Sequence, residues 1–212
     1  VNDVHGRERT QARRFSIEEM GAILGQLEGQ VLNFYQFAFW TGLGTSELIA
    51  LQWGDVEEAS GVVRVRRAKV MGAIKTTKTA AGRRDVRLLP PALDALKRQK
   101  THTQLPGGEI FHNPLTGRPW VSDKAVREVH WRHALTRGGI RYRVPYQTRH
   151  TYASMMLTAG EDPMWVAQQM GHRSPTTTYR KYARWIPENR PDAGAKAARL
   201  WSQGGHKGKV RR

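Results

Sequence analysis

YQTRHTYASMMLTAGEDPMWVAQQMGHRSPTTTYRKY, residues 146–182, decides how this chain folds and where its chemistry sits. Positions 152, 155, 156 and 159 are apolar or aromatic and recur at i, i+3, i+4 and i+7, the spacing that gives a helix one buried face. Arg149 opens that helix, three residues before Tyr152 and on the same side. A second helix is expected behind Asp162 as N-cap and Pro163 at its first position, with Val166 and Met170 turned inward and Gly171 as a left-handed stop. His172 is thereby delivered at a tight helix exit. A third helix starts with Ser174 as cap and Pro175 behind it, carries Tyr179 and Tyr182 on one side, and cannot continue past Pro187. A cationic fork, an imidazole and a phenol are thus expected at fixed helix ends, with Tyr179 taken as packing.

Outward from this stretch, the 212 residues suffice for one substantial domain with its own core. Thirty-five Lys and Arg against eighteen Asp and Glu give a net charge of +17, spread along the chain, so a polyanion is the expected partner and nucleic acid the leading one. No apolar run approaches the length of a membrane span, so no membrane partner is expected. The chain has no cysteine, which excludes disulfides, thiol catalysis and zinc–thiolate sites. No charged-then-apolar leader opens it, and a cytoplasmic protein acting on intracellular DNA is the simplest reading.

The remaining elements follow from local signals. Residues 1–14 read as a polar, basic linker. Ser16 and Glu19 form a capping box for a helix running to about Glu28. Residues 31–41, almost wholly apolar and aromatic, read as a buried helix ended by Gly42. Thr45 or Ser46 caps a short helix through Leu51, with Gly44 and Glu47 at its entry. Residues 53–56, 62–67 and 84–88 read as a small antiparallel sheet, with a mobile, solvated loop between its second and third strands. Pro90-Pro91 opens a helix to about Lys100, and Pro106-Gly107-Gly108 and Asn113-Pro114 mark a long connection. Ser122 then caps a helix from Asp123 to about Thr136 carrying Ala125, Val129 and Trp131. His130 and His133 could share a metal only with a third ligand that the spacing does not supply, so no metal is expected. A DNA-facing basic surface including Trp131, Arg132 and Arg137 is expected there. A short helix anchored by Leu200 and Trp201 is expected in the tail.

Three boxes carry a resemblance to a known family. GHRSPTTTYRKY (171–182) resembles the Gly-His, Thr-Thr, Tyr signature of the tyrosine recombinases, the phage-integrase family; YQTRHTYAS (146–154) resembles its His-x-x-Arg-His-Thr segment; and TGLGTSELIALQW (41–53) resembles its Thr-Gly-x-Arg-x-Ser-Glu-Leu box. Three boxes in the right order are far more specific than any one of them. The resemblance implies an α+β, mostly helical catalytic domain over residues 15–187 with a small three-stranded antiparallel sheet. It also implies a tail, 188–212, that either packs on its own domain or is exchanged between protomers.

The family resemblance further implies metal-independent, cofactor-free cutting and rejoining of double-stranded DNA through a 3′-phosphotyrosyl link. The protein would be a monomer in isolation and a homotetramer on synapsed DNA. Tyr182 matches the nucleophile, Arg149 the second catalytic arginine, and His172 a donor to a phosphate oxygen. Lys78 matches the acid toward the departing 5′ oxygen, with Lys75 close by as the alternative. Glu47 and His150 match supporting positions, and Lys75, Arg83, Arg84 and Arg132 are expected to contact DNA.

Two positions depart from the pattern. Tyr146 stands where most relatives place histidine, and Gly44 stands where they place the first catalytic arginine. A missing clamp of that kind costs about 3 to 4 kcal/mol, roughly a hundredfold to a thousandfold in rate. Engineered or accidental loss, a degenerate copy, or a basic residue supplied from elsewhere would each account for Gly44. Relatives also carry an N-terminal domain that clamps the other face of DNA, so this chain alone is expected to bind weakly, with steep salt dependence. The competing readings are a non-catalytic DNA-binding module of the same fold and a type IB topoisomerase.

Overall fold

Ser16 starts the first helix, α1 (Ile17–Leu24): its hydroxyl accepts from the Glu19 N–H at 3.1 Å while the Glu19 carboxylate accepts from the Ser16 N–H at 2.9 Å. The computed structural model describes residues 14–76, 82–104 and 108–186, together with 195, 198 and 199. Helix α1 stops short of the expected Glu28. Gly25 caps it, and the chain turns so that Leu27 enters the core before Gly29, at φ 53, opens α2 (Gly29–Thr41).

Helix α2 is the centre of the molecule. Phe34, Tyr35, Phe37, Ala38 and Phe39 are all buried, as its apolar sequence demands. Each large side chain so buried contributes roughly 1.5 to 3 kcal/mol. Against α2 pack α4 (Pro90–Thr103) and α7 (Gln147–Thr158). Helix α4 runs three residues beyond its expected end because Gln99 and Thr103 both donate inward, to the Ile110 carbonyl at 3.0 and 2.6 Å. Between α2 and the sheet lies α3 (Thr45–Leu48), whose N-cap is Gly44 itself rather than Thr45 or Ser46.

The expected three-stranded antiparallel sheet forms from β1 (Val56–Glu57), β2 (Val62–Val65) and β5 (Arg84–Arg87), in the order β1-β2-β5. Its register sets Val56 against Val63 and Val63 against Val86, and Val63, Val65 and Val86 form its core face. Residues 53–55 are a 3-10 turn rather than strand, because the Asp55 carboxylate folds back to accept from the Gln52 N–H. The expected solvated loop is in part a second ladder, β3 (Arg67–Val70) with β4 (Ala73–Thr76). Met71 and Gly72, both at positive φ, close it in the way two-residue hairpins require. Lys69 on this ladder is buried, its Nζ donating to Glu109 and the Trp120 carbonyl.

The expected long connection after α4 likewise contains a hairpin, β6 (His112–Asn113) with β7 (Arg118–Pro119). Helices α5 (Asp123–Val126) and α6 (Arg132–Arg137) are joined by a π-helical turn, Arg127–Trp131. Trp131 is not on a DNA-facing surface. Its ring stacks on Tyr35 at 4.5 Å and meets Phe15 edge-on at 5.6 Å, and its Nε1 donates to the Arg143 carbonyl. His130 packs edge-on to Trp120. Helix α8 (Pro163–Met170) and helix α9 (Pro175–Tyr182) complete the order, both capped as expected, by Asp162 and Ser174. No described helix is long and apolar enough to cross a membrane.

Candidate active site

Five helix ends make the site. At the end of α2, Gly42 sits in the left-handed region at φ 64, and a Cβ there would lie 2.4 Å from Cδ1 of Tyr152. Only glycine lets α7 come this close. The approach brings Arg149, on the first turn of α7, to the Gly42 carbonyl, which accepts from Nη1 at 2.7 Å; Nη2 donates to the Met170 carbonyl at the end of α8. Both acceptors lie at helix C-termini, where the backbone dipoles favour a cation. These two bonds fix the plane of a fork that carries five donors.

A carboxylate braces this cation. Glu47 lies 3.9 Å from Arg149 and accepts from the Gly44 N–H at 2.9 Å. Burial pushes the Glu47 carboxyl up, but the Arg84 hydrogen bonds and charge, Arg149 and the Gly44 N–H outweigh it and hold the group below the ordinary glutamate value. Arg84, expected to contact DNA, is instead part of the wall. Both its arms grip Glu47, and its Nε donates to the Gln169 carbonyl at 2.7 Å. Gly44, the N-cap of α3, faces Tyr146 across a cleft of about 240 Å³. A Cβ on Gly44 would stand 3.6 Å from Glu47 Oε2 and 3.9 Å from Cε2 of Tyr146, both ordinary contacts.

The imidazoles and the phenol complete the arrangement. Gly171 ends α8 at φ 66, as expected, and so turns out His172, whose Nδ1 lies 2.7 Å from the Thr178 hydroxyl. Burial, then the charges of Arg149, Lys181, Arg84 and His150, push the His172 imidazole down to about 4, so it is neutral near pH 7. Its ring lies parallel to that of Tyr182, with centroids 6.5 Å apart. Tyr182 is only 2% exposed, and its hydroxyl is 2.6 Å from Nδ1 of His150. Burial pushes the Tyr182 phenol well above the usual tyrosine value, Arg149 pulls it partly back, and Tyr146 adds to the rise.

The sequence-expected residues divide. Arg149, His172, Tyr182, Glu47, His150, Tyr146 and Gly44 come together; Lys78 lies outside the described residues. Lys75 is exposed on the β3–β4 ladder, Arg83 is exposed just before β5, and the exposed Arg132 sits 4.9 Å over the Tyr142 ring. Tyr179 is not packed: it is 49% exposed, because three helical residues leave about 60° between it and Tyr182. The contact of His150 with the phenol went unread in the sequence, where only its position after Arg149 hinted at it.

Against known proteins, the family model described as the phage integrase family matches residues 14–188. Prophage integrase IntR of Escherichia coli K12 is 37% identical over 205 residues, covering 86% of this chain and 50% of the relative. The putative defective protein IntQ of the same strain is 34% identical over 185 residues, with coverages of 76% and 46%. The chain therefore spans about half the length of the curated relatives it matches. Among solved structures, the Tn1549 transposon integrase in complex with a circular intermediate DNA matches with a TM-score of 0.71 at 19% identity, covering 88% of this chain and 65% of that one. The catalytic domain of bacteriophage HP1 integrase matches with a TM-score of 0.61 at 17% identity, covering 89% and 96%. With its fold shared with tyrosine recombinase catalytic domains, and with the family match running through every helix of the site, the chain belongs to the phage integrase family.

Proposed function

We propose that this chain is the catalytic domain of a site-specific DNA recombinase of the integrase type, which cuts and rejoins double-stranded DNA through a 3′-phosphotyrosyl intermediate. The observation that carries the reading is a buried phenol, Tyr182, in contact with His150 and His172 and within the field of Arg149, at the ends of three helices. In this reading Tyr182 Oη attacks phosphorus and the bond to the 5′ oxygen breaks. Charge growing on the non-bridging oxygens meets the fork of Arg149 and an N–H of neutral His172, with the Tyr146 hydroxyl as a further donor. Lys78 supplies the proton to the 5′ oxygen. Attack of a 5′ hydroxyl on the phosphotyrosine reverses the step, so strands exchange without a metal or cofactor.

Residues 15–187 form this domain, with 1–14 as linker and the tail, 188–212, available for exchange between protomers of a tetramer on synapsed DNA. Exposed Lys75, Arg83 and Arg132 are suited to the backbone. Gly44 leaves one phosphate clamp unfilled and favours a second reading, a non-catalytic DNA-binding module.

A library of nicked duplexes of random sequence tests the choice. Recovery of protein-linked 3′ strands, lost in Tyr182→Phe, supports the recombinase. Salt-sensitive DNA retardation with no linked strand supports the binding module. Relaxation of any supercoiled plasmid, whatever its sequence, would point to topoisomerase chemistry instead.

A further inference from the structure

We propose that His150 is a catalytic residue of this site, accepting the Tyr182 proton as the phenol attacks and returning it on rejoining. The inference rests on reading Tyr182 as the nucleophile. Its basis is that His150 Nδ1 lies 2.6 Å from the Tyr182 hydroxyl, across the interface of α7 and α9 and 32 residues apart in sequence. That is a short hydrogen bond, and with the ring's own proton on Nε2 it leads from Oη to Nδ1.

The other candidates are worse placed. Tyr146, at the position where relatives carry an imidazole, is 49% exposed and meets His150 rather than the nucleophile, edge-on with centroids 5.5 Å apart. A phenol is also a poor proton acceptor near neutral pH. His172 lies flat beside the Tyr182 ring and spends its Nδ1 on Thr178. The groups facing the pair are Arg180 and Lys181 on α9, Arg184 and Trp185 just after it, and Arg14 from the N-terminal side. Together they line a cleft of about 360 Å³. None of these described lining residues is a carboxylate, so no anion there competes for the phenol proton. A histidine ordinarily titrates near 6.5 and can take a proton at pH 7.

The step balances. The hydroxyl proton moves to Nδ1, with the ring's other proton on Nε2, as the Oη–P bond forms. The P–O5′ bond breaks and O5′ is protonated by the acid assigned to Lys78. Rejoining runs the same transfers backwards, Oη recovering its proton from Nδ1.

Single-turnover cleavage of a nicked duplex, followed across pH, tests this in the intact chain, His150→Gln and His150→Asn, each checked for a folded melt. The intact chain should lose rate as pH falls through the histidine range. The variants should be slower at pH 7 by about a hundredfold and gain rate as pH rises. Replacing Tyr182 with 3,5-difluorotyrosine, whose phenol gives up its proton more readily, should restore the variants more than the intact chain. Unchanged rates, or an equal loss at every pH with no restoration, overturn the proposal and leave the nucleophile reading standing. No linked strand from the intact chain, or one that survives Tyr182→Phe, overturns both.

Discussion

Arg84 grips Glu47 with both arms of its guanidinium, at 2.7 and 3.0 Å, and so closes the wall of the site beside Gly44. Because the pair is largely buried, removing one partner strands the other's charge and that of Arg149 nearby. Glu47→Ala should destabilise the protein by about 3 kcal/mol. The folded-state carboxyl titrates below its unfolded value, so its contribution is present above the unfolded glutamate range and is lost as pH falls through the folded value. Melts below about pH 4 should therefore decline less steeply in Glu47→Gln than in the unchanged chain. Equal slopes would mean that the pair does not hold the wall.

Gly42 places Arg149, and it does so through an absence of side chain. Gly42→Ala would combine a left-handed backbone with a Cβ 2.4 Å from the Tyr152 ring, and should cost about 2 to 4 kcal/mol. Gly21 is the control. It lies exposed within α1 with nothing within 4 Å of a built Cβ, so Gly21→Ala should stabilise by about 0.5 to 1 kcal/mol. Denaturant midpoints of the two variants check both signs.

His172 gives a second, higher pH window. The imidazole binds a proton near 6.5 when unfolded and only near about 4 when folded, so stability is full above 6.5 and is lost as pH falls toward 4. Partial exposure screens the effect, leaving about 1 to 2 kcal/mol. His172→Gln should flatten the melting curve between pH 6.5 and 4 while leaving the lower, Glu47 window in place. No change in that interval would contradict the buried, neutral imidazole.

Gly44→Arg fits the backbone, since Gly44 has φ −71 and the added Cβ meets only ordinary contacts. The new guanidinium would enter beside Glu47 and Tyr146, where the clamp is missing. Covalent-complex yield on a nicked substrate should rise by roughly a hundredfold to a thousandfold. A yield that stays level or drops would mean that Gly44 is not the position of a lost clamp.

What was legible in the sequence was local. Caps at Ser16, Asp162 and Ser174 and the stops at Gly42 and Gly171 each turn on a few adjacent residues, and each is found where expected. Helix α7 was harder to read, because its buried face includes Thr151 and Ser154 while Ala159 is exposed. Those hydroxyls satisfy themselves on the backbone, Thr151 on the Gln147 carbonyl and Ser154 on the Thr151 carbonyl, so polar residues did not signal solvent. The β3–β4 hairpin hid behind a turn that asks Met71 for a positive φ. Arg84, at the start of a strand, was expected to contact DNA; its partner lies 37 residues away, a pairing no periodicity reveals. A separation of 32 residues likewise concealed His150 against Tyr182.

If Tyr182 is the nucleophile, its oxygen becomes bonded to DNA phosphorus. Strands trapped on the unchanged protein can be trimmed with nuclease and the protein digested and sequenced by mass spectrometry. The nucleotide should be on the peptide carrying Tyr182, with none on that carrying Tyr179. A nucleotide on Tyr179, on Tyr146 or on any other residue would contradict it.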